Sequence, residues 1–323
     1  MNYKNLGQTG LQVSQLCFGT MSFGGDADKD QSEAMFNAAR DTGINFFDCA
    51  DAYSNGRAEK ILGKLISGNR DELIITSKCF GQMSDDINAG GANRRHIIRA
   101  VEASLKRLNT DWIDVLFMHR WDKKVPLEET LRALEQLVSD GKVTYLGASN
   151  YSAWQVSKGL GISSKNNWPR FDVIQPMYSL VKRQVESEIL PLAMEENLGV
   201  VTYSPVGGGL LSGKYDRNRA TQTGRLIENK DYAKRYRENW VFEVAEDFTA
   251  LAHELGVHPV SLAVSWAACH PAVTCPIIGA RNLQQLQPSL AASQFKMTDE
   301  LYAKITALSR TPAPATDRLE EQA

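Results

Sequence analysis

The chain has 323 residues, 43% of them hydrophobic, and its formal net charge at pH 7 is −2. A chain of this length could hold two average domains, but α/β barrels of this size are routinely single domains. The charge argues against a surface that binds nucleic acid, and no apolar run is long enough to span a bilayer. The first residues show no secretion signal pattern, so we expect a cytoplasmic protein that binds neither nucleic acid nor membranes.

Strand and helix patterns alternate along the chain. Residues 3–13 predict a β-hairpin with a glycine-bearing turn. Eight short apolar runs follow, and the segments between them carry apolar residues at the three- and four-residue spacing of helices. Eight such β-then-α units favour a closed parallel barrel. The strands are predicted at residues 16–18, 45–48, 73–77, 112–118, 143–147, 173–175, 200–203 and 273–277, and the helices include residues 31–41, 96–108, 127–139, 185–196 and 242–255.

Two segments differ from this alternation. Between residues 211 and 236 the chain is polar and basic, and a long connection after a barrel strand usually has a function. The alternative interpretation of this connection is a solvated surface excursion. Residues 311–323 combine proline, alanine and acidic residues, which predicts a disordered tail after a single barrel domain of residues 1–310.

Four polar residues near strand ends carry the strongest functional signal. Asp48, Lys78 and His119 each end or directly follow a predicted strand, and Tyr53 follows Asp48 closely. Because the carboxyl ends of parallel strands meet on one rim, we expect these side chains to lie together. A tyrosine hydroxyl can supply a proton, an ammonium lowers the pKa of that hydroxyl, and an aspartate can hold the ammonium. An imidazole can orient a carbonyl oxygen or relay a proton.

Each of the four residues also has a purely structural interpretation. Lys78 and Asp48 could form a buried ion pair that closes the barrel rim. Tyr53 lies in a turn rich in Ser, Asn and Gly, where a tyrosine is usually a surface aromatic. His119 could be a hydrogen-bonded structural group at a strand end. Their joint placement on the face that carries barrel active sites favours the functional interpretation.

Several stretches around these positions occur in the order and spacing that one protein family shows. They are residues 16–21 (LCFGTM), 47–56 (FDCADAYSNG), 75–78 (ITSK), 118–120 (MHR), 147–150 (GASN), 203–205 (YSP) and 278–282 (IGARN). Through them the sequence resembles the aldo-keto reductase superfamily, including its members similar to potassium-channel β-subunits, over nearly its whole length. The resemblance implies a (β/α)8 TIM barrel with an N-terminal β-hairpin, an NADP(H) cofactor and a catalytic tetrad of Asp48, Tyr53, Lys78 and His119.

The resemblance also implies which residues bind the cofactor, and their chemistry suits that role. Ser149, Asn150 and Gln175 offer the donors and acceptors that a carboxamide needs. Tyr203 could stack its ring on the nicotinamide and so expose one hydride face. The implied cofactor-binding residues are Gly19, Thr20, Met21, Asp48, Ser149, Asn150, Gln175, Tyr203, Ser204, Pro205, Lys214, Gly279, Arg281 and Gln285.

Two basic residues are candidates for the phosphate groups of the cofactor. The run GGLLSGK at residues 208–214 nearly spells a P-loop, but Tyr215 replaces the magnesium-binding hydroxyl and the run follows the seventh strand. We therefore reject a nucleotide triphosphatase and expect this run, with Lys214, to wrap the pyrophosphate. Arg281 follows the eighth strand, where barrel phosphate sites are favoured, and could pair with a 2′-phosphate, which favours NADP over NAD.

The expected function is NADPH-dependent reduction of an aldehyde or ketone to an alcohol, with Tyr53 as the proton donor. Tyr53, His119 and Trp121 are expected to contact the small-molecule carbonyl substrate. Two alternatives are a sugar or polyol dehydrogenase and a non-catalytic, cofactor-binding regulatory subunit. The sequence identifies neither the substrate nor the oligomeric state.

The cysteines give no sign of a metal site. Cys17, Cys49, Cys79, Cys269 and Cys275 are odd in number, and no spacing among them resembles a zinc site. The simpler interpretation is that they are small buried apolar residues. The alternative is that Cys49 and Cys79, next to candidate catalytic residues, are sensitive to oxidation.

Overall fold

The computed structural model describes residues 1–215 and 224–321, and it contains a closed barrel of eight parallel strands preceded by an antiparallel hairpin. The strands are β1 (Tyr3–Asn5), β2 (Gln12–Ser14), β3 (Cys17–Gly19), β4 (Phe46–Asp48), β5 (Ile74–Cys79), β6 (Ile113–Met118), β7 (Val143–Ser149), β8 (Phe171–Gln175), β9 (Gly199–Thr202) and β10 (Cys275–Ile278). β1 and β2 form the hairpin, and β3 to β10 form the barrel. The prediction of a (β/α)8 barrel with an N-terminal hairpin is therefore confirmed.

The barrel strands pair in chain order, and β10 closes the ring. β10 pairs with β9, where Cys275 lies opposite Val201, and with β3, where Ile277 lies opposite Cys17. Every pairing in the ring is parallel, so all strands end on the same face. The ends of β4, β5 and β6 therefore bring their polar residues to one rim.

Helices cover the outside of the barrel. They are α1 (Lys29–Asp41), α2 (Arg57–Ile66), α3 (Arg94–Leu108), α4 (Leu127–Ser139), α5 (Ala153–Asn166), α6 (Ile189–Glu195), α7 (Arg225–Glu228), α8 (Lys230–Arg235), α9 (Asn239–Glu254), α10 (Pro259–Cys269), α11 (Leu283–Ala291) and α12 (Asp299–Thr306). Several begin after an Asp or Asn whose side chain accepts a backbone N–H of the first turn, such as Asp28 before α1 and Asn93 before α3. α3 ends at Asn109, whose φ of 52° stops the helix.

The hairpin and the inward-facing apolar side chains fill the N-terminal half of the barrel. Leu6 of the hairpin lies against Gly199, the first residue of β9, where a Cβ would come within 2.7 Å of the Leu6 side chain. Higher in the barrel, the ring of Phe117 takes the space of a side chain at Gly147, where a Cβ would approach it to 2.3 Å. A larger apolar cluster packs the outer faces of the strands against the helices. Polar side chains are thus left to the C-terminal face.

The long connection after β9 is largely helical where the structure describes it. A 3-10 turn, Gly207–Ser212, begins it, and α7 and α8 end it. Residues 216–223 of the predicted 211–236 connection lie outside the described residues. No helix in residues 1–215 or 224–321 has the length and apolar character needed to cross a membrane.

The end of α12 and the segment after it contact the connection between β8 and α6. The hydroxyl of Ser187 donates a hydrogen bond to the carbonyl oxygen of Ala313 at 2.7 Å. The guanidinium of Arg183 donates to the carbonyl oxygens of Thr306 and Ser309. The division into a barrel domain of residues 1–310 and a disordered tail of residues 311–323 stays a prediction.

Candidate active site

Lys78 is the centre of a buried hydrogen-bond network at the end of β5. Its side chain is fully buried, and Nζ donates to Oδ2 of Asp48 at 2.6 Å, to the carbonyl oxygen of Cys49 at 2.8 Å and to Oη of Tyr53 at 3.1 Å. Three acceptors match the three N–H groups of an ammonium, which would be costly to bury without them. Burial by itself lowers the pKa of Lys78, but Asp48 and Tyr53 raise it above its ordinary value. Lys78 is therefore charged.

Asp48, the last residue of β4, is held through both carboxylate oxygens. While Oδ2 accepts from Lys78, Oδ1 accepts from Oγ1 of Thr76 at 2.8 Å and from Nε2 of Gln175 at 2.8 Å. Thr76 precedes Lys78 by two residues in β5, so both side chains point to the inner face. Thr76 is not among the predicted site residues, although its two-residue spacing from Lys78 is a sequence signal for it. The contact with Gln175, which lies 127 residues from Asp48, has no local signal.

Tyr53 begins a short 3-10 turn, Tyr53–Gly56, that leads into α2. The next three residues, Ser54, Asn55 and Gly56, have φ angles of 48°, 55° and 79°. This left-handed backbone suits glycine and is tolerated by asparagine, but it is strained for serine. Such strain persists where the surroundings enforce it, and it concentrates at functional sites. Here the turn directs the Tyr53 hydroxyl back to Lys78.

The Tyr53 hydroxyl carries its proton at neutral pH. Burial raises the pKa of Tyr53 from its ordinary value of 10.0 to about 12, while the Lys78 ammonium acts in the opposite direction. The predicted lowering of this pKa by Lys78 is present, but burial outweighs it. Tyr53 is consequently in the form that a proton donor requires.

His119 follows β6 at the same rim. Its backbone N–H donates to the carbonyl oxygen of Cys79 at 3.1 Å, and its ring meets the Tyr53 ring edge-on at a centroid distance of 6.1 Å. Burial, then the charges of Lys78 and Arg120, lower the pKa of His119 from 6.5 to about 3. The imidazole is therefore neutral at ordinary pH and can donate one hydrogen bond while accepting another.

Trp121 is half-buried two residues beyond His119. Its ring packs edge-on against Tyr151, just before α5, at 5.4 Å, and against Trp154, in the first turn of α5, at 5.5 Å. Trp154 is exposed. The structure thus places Trp121 in an aromatic cluster beside the rim, and its contact with a substrate stays a prediction.

The end of β3 lies directly against Asp48. Gly19 pairs with Asp48 across the two strands, and Thr20 donates to the carbonyl oxygen of Asp48 through both its backbone N–H and its hydroxyl. Met21 follows with an exposed side chain. A Cβ on Gly279, just after β10, would come within 3.0 Å of the Gly19 carbonyl oxygen. The predicted cofactor residues of β3 and β10 therefore form one continuous rim with the tetrad.

A chain of polar side chains continues around the rim from β7 to β9. Ser149 and Gln175 lie opposite each other at the ends of β7 and β8, and the Ser149 hydroxyl donates to the Gln175 carbonyl oxygen at 3.0 Å. Nδ2 of Asn150 donates to the carbonyl oxygen of His119 at 2.9 Å, and Oη of Tyr203 donates to Oδ1 of Asn150 at 2.7 Å. These contacts join the predicted carboxamide-binding residues to the tetrad.

The predicted phosphate-binding residues lie further along the same face. Ser204, with φ of 60°, and Pro205 begin a turn in which the N–H of Gly207 donates to the Ser204 carbonyl oxygen. Gly209, with φ of 98°, lies so close to Lys214 that a Cβ would come within 3.1 Å of its Cε. Burial, then the charges of Arg281 and Arg225, lower the pKa of Lys214. The glycine turn thus brings Lys214 into a basic cluster with Arg225 and Arg281.

Arg281 is the arginine of this cluster that follows β10. Its Nε lies 3.1 Å from Oδ2 of Asp26, and its Nη2 lies 2.7 Å from Oε2 of Glu228. Its backbone N–H donates to the side-chain oxygen of Gln285 at 3.3 Å. Arg281 and Gln285 are predicted site residues, whereas Asp26 and Glu228 reach the arginine from distant segments and have no local sequence signal.

The residues present fit a nicotinamide dinucleotide. Amide and hydroxyl groups line one part of the rim, the Tyr203 ring follows, and the cations Lys214 and Arg281 lie beyond it. This sequence of groups matches the carboxamide, ring and phosphates of such a cofactor. The turn at Gly209, whose φ of 98° favours glycine, also suits a backbone that approaches phosphate.

A second buried network supports β5 from its outer side. Glu59, fully buried on α2, accepts from the hydroxyl of Ser77 and from Nε of Arg107, each at 2.6 Å. Ser77 immediately precedes Lys78 and faces the opposite way. Nearby Asp51 is also fully buried, and no side chain of the described residues donates a hydrogen bond to its carboxylate. Burial, then the charge of Glu59, raise the pKa of Asp51 from 3.8 to about 7.

The cysteines are mostly buried and far from thiolate form. Cys17, Cys49, Cys79 and Cys275 are buried, and Cys269 is exposed. Burial raises the pKa of both the Cys49 and the Cys79 thiol well above its ordinary value. Because the thiolate is the reactive form of cysteine, the raised pKa favours the interpretation of Cys49 and Cys79 as small buried apolar residues over sensitivity to oxidation.

Comparison with known proteins agrees with the barrel and its rim. Residues 15–310 match the Aldo/keto reductase family. The chain belongs to this family. Members of the family generally use NAD(P)H, and the family and its oxidoreductase members support carbonyl reduction as the general chemistry of the barrel.

The relatives of this chain fall into two groups by name, potassium-channel subunits and oxidoreductases. It is 36% identical over 328 residues to a "Probable voltage-gated potassium channel subunit beta" of Oryza sativa subsp. japonica, which covers 98% of this chain and 99% of the relative. It is 35% identical over 328 residues to the "Uncharacterized oxidoreductase YrpG" of Bacillus subtilis (strain 168), covering 98% of each. It is 32% identical over 331 residues to a "Versiconal hemiacetal acetate reductase" of Aspergillus parasiticus, covering 93% of this chain and 94% of the relative.

Proposed function

We propose that this protein reduces an aldehyde or ketone to an alcohol with NADPH, and that Asp48, Tyr53, Lys78 and His119 are its catalytic residues. The observation that carries the proposal is the fully buried Lys78 ammonium, which binds the Asp48 carboxylate at 2.6 Å and the Tyr53 hydroxyl at 3.1 Å. The third N–H of the buried ammonium needs an acceptor, and the acceptor here is a hydroxyl that can itself give up a proton beside the positive charge. We place this activity in the cytoplasm, with a small carbonyl compound as substrate.

The four residues have distinct roles in this mechanism. The chemistry that NADPH would supply, when bound, is a hydride for the carbonyl carbon. The Tyr53 hydroxyl, protonated because its pKa is about 12, gives its proton to the oxygen of the developing alkoxide. Lys78 already donates to this hydroxyl, and its charge stabilises the phenolate that remains. Asp48 keeps Lys78 in position, and neutral His119 orients the carbonyl oxygen.

The cofactor would be held by the rest of the rim. Ser149, Asn150 and Gln175 would hold the carboxamide, and Tyr203 would stack on the nicotinamide ring. Lys214 would bind the pyrophosphate. Gly19, Thr20 and Met21 would contact the cofactor from β3, and Ser204 and Pro205 from β9. Gly279, Arg281 and Gln285 would contact the nucleotide end, where Arg281 would pair with the 2′-phosphate.

Two other functions use the same site. Oxidation of a sugar or polyol is the reverse chemistry on the same groups, with Tyr53 accepting the proton. A non-catalytic, cofactor-binding regulatory role is the second candidate, and the names of the rice relative and of a 38% identical Arabidopsis thaliana relative favour considering it.

Steady-state turnover separates these candidates. Wild type and Tyr53→Phe should be assayed with NADPH and NADH against aldehydes and ketones, and with NADP and NAD against sugars and polyols. Reduction of aldehydes or ketones that Tyr53→Phe loses supports the proposal. Turnover confined to sugars and polyols favours the dehydrogenase. Tight cofactor binding with no turnover above that of Tyr53→Phe favours the regulatory subunit.

A further inference from the structure

Arg281 joins three separate segments of the rim through two ion pairs. Its Nη2 donates to Oε2 of Glu228 at the end of α7, and its Nε forms an ion pair with Oδ2 of Asp26 in the loop between β3 and α1. The shorter bond, 2.7 Å, is the one to Glu228. All three side chains are partly exposed, between 35% and 50%, so an incoming ligand can reach them.

Glu228 is fixed in place and charged. Its second oxygen, Oε1, accepts the backbone N–H of Gly224 at 3.0 Å, at the start of the same short helix. The hydrogen bond from Arg281, then that from Gly224, lower the pKa of Glu228. The nearby cations Lys214 and Arg225 are part of the same cluster. The basic cluster of Lys214, Arg225 and Arg281 therefore also contains two carboxylates, both of which pair with Arg281.

These carboxylates change what the arginine can bind. A guanidinium has five N–H donors, and Asp26 and Glu228 take bonds on two of its three nitrogens. A 2′-phosphate must share Arg281 with two anions and is repelled by both. A 2′-hydroxyl carries no charge and can itself donate to a carboxylate, which is the way acidic residues recognise the ribose of NAD in other folds.

We propose that Glu228, through its bond to Arg281, is a specificity-determining residue that reduces the preference of this protein for NADPH over NADH. The inference rests on the proposed function, because it concerns the nucleotide end of the same cofactor site. Asp26 acts in the same direction with a smaller effect, because its bond to Arg281 is longer, at 3.1 Å.

The test is a set of dissociation constants for NADPH and NADH, measured by calorimetry without any carbonyl substrate. The variants are Glu228→Gln and Asp26→Asn, with Glu72→Gln as the matched control. Glu72 forms a 2.7 Å bond to Arg40 at the opposite end of the barrel. We expect Glu228→Gln to tighten NADPH on the order of tenfold and to leave NADH within about twofold, since only the phosphate is repelled. Glu72→Gln should change neither constant.

A double-mutant cycle shows whether Glu228 acts through Arg281. In an Arg281→Ala background the NADPH gain from Glu228→Gln should fall to about twofold or less. An unchanged or weaker affinity of Glu228→Gln for NADPH, with wild type binding both nucleotides, overturns this inference and leaves the proposed function standing. Wild type that binds neither nucleotide overturns the proposed function, and the inference falls with it.

Discussion

The Tyr53 hydroxyl lies 3.1 Å from the Lys78 ammonium, yet it keeps its proton because burial raises its pKa to about 12. Tyr53 is therefore a proton donor whose positively charged partner, Lys78, is in place before the proton leaves. The interaction between them strengthens when Tyr53 becomes phenolate, which is the differential stabilisation that catalysis requires.

Replacing Tyr53 with Phe should remove most turnover and leave cofactor affinity nearly unchanged. The hydroxyl is needed only when the alkoxide forms, and general acid catalysis is typically worth ~10²–10⁴-fold in kcat. The measurement is kcat with an aldehyde, together with the Kd for NADPH. Tyr145→Phe is the control, since its hydroxyl bonds the Thr9 carbonyl oxygen at the hairpin end of the barrel. Wild-type kcat in Tyr53→Phe would contradict the tetrad assignment.

The pH dependence of turnover should contain no histidine titration between pH 5 and 8. Burial and the neighbouring cations lower the pKa of His119 to about 3, so the imidazole is neutral throughout that range. A profile of kcat/KM with an uncharged aldehyde, for wild type and His119→Gln, checks this. A step near pH 6.5 that is present in wild type and absent in His119→Gln would show that His119 titrates during catalysis.

Replacing Asp51 with Asn should stabilise the protein at pH 8 and have little effect at pH 4. The pKa of Asp51 is about 7 in the folded protein, against an ordinary value of 3.8. Between these two pH values the folded protein therefore holds a proton that the unfolded chain has lost. The contribution of Asp51 to the free energy of unfolding therefore falls as pH rises from about 4 to 7. The gain in Asp51→Asn at pH 8 should be on the order of 2–4 kcal/mol.

Urea unfolding of wild type and variant at pH 4, 6 and 8 measures this difference directly. The exposed Asp85 supplies the control, Asp85→Asn, which should show no such pH-dependent gain. An equal stability change in Asp51→Asn at all three pH values would mean that the buried carboxyl does not titrate as its surroundings indicate.

Replacing Arg281 with Ala should weaken NADPH more than NADH. A charge-assisted bond to the 2′-phosphate contributes roughly 1.5–3 kcal/mol, which NADH does not gain. Dissociation constants of both nucleotides for wild type and Arg281→Ala test the assignment, with Arg40→Ala as a control at the other end of the barrel. Equal losses for the two nucleotides would show that Arg281 does not recognise the 2′-phosphate.

The segment after β9 should become protected from hydrogen exchange when the cofactor binds. Its described parts are residues 211–215, which include Lys214, and residues 224–236, which contact Arg281 through Glu228. Basic residues attract a polyanionic cofactor. Saturation with NADPH should slow amide exchange across these parts, and Lys214→Ala should speed cofactor release. Unchanged exchange would favour the solvated surface excursion instead. The remainder of the predicted connection, residues 216–223, lies outside the described structure.

The sequence by itself determined the order of the β and α units and the placement of the four tetrad candidates. Both depend on short-range patterns: the period of the apolar residues, and polar residues directly after strands. Once the strands are parallel, Asp48, Lys78 and His119 must reach one rim, because successive parallel strands end on the same face. The two-residue alternation of β5 also puts Thr76 on the same face as Lys78, although Thr76 is not among the predicted site residues.

Only the tertiary structure decided the contacts that set the chemistry. Gln175 meets Asp48 at 2.8 Å across 127 residues of sequence, and Arg281 meets Glu228 from 53 residues away. Burial is likewise a property of the assembled barrel, and it outweighs the Lys78 charge at Tyr53. The local sequence pattern predicts the direction in which each side chain points. Its hydrogen-bond partners and its burial depend on segments that are distant in sequence and come together only in the folded chain.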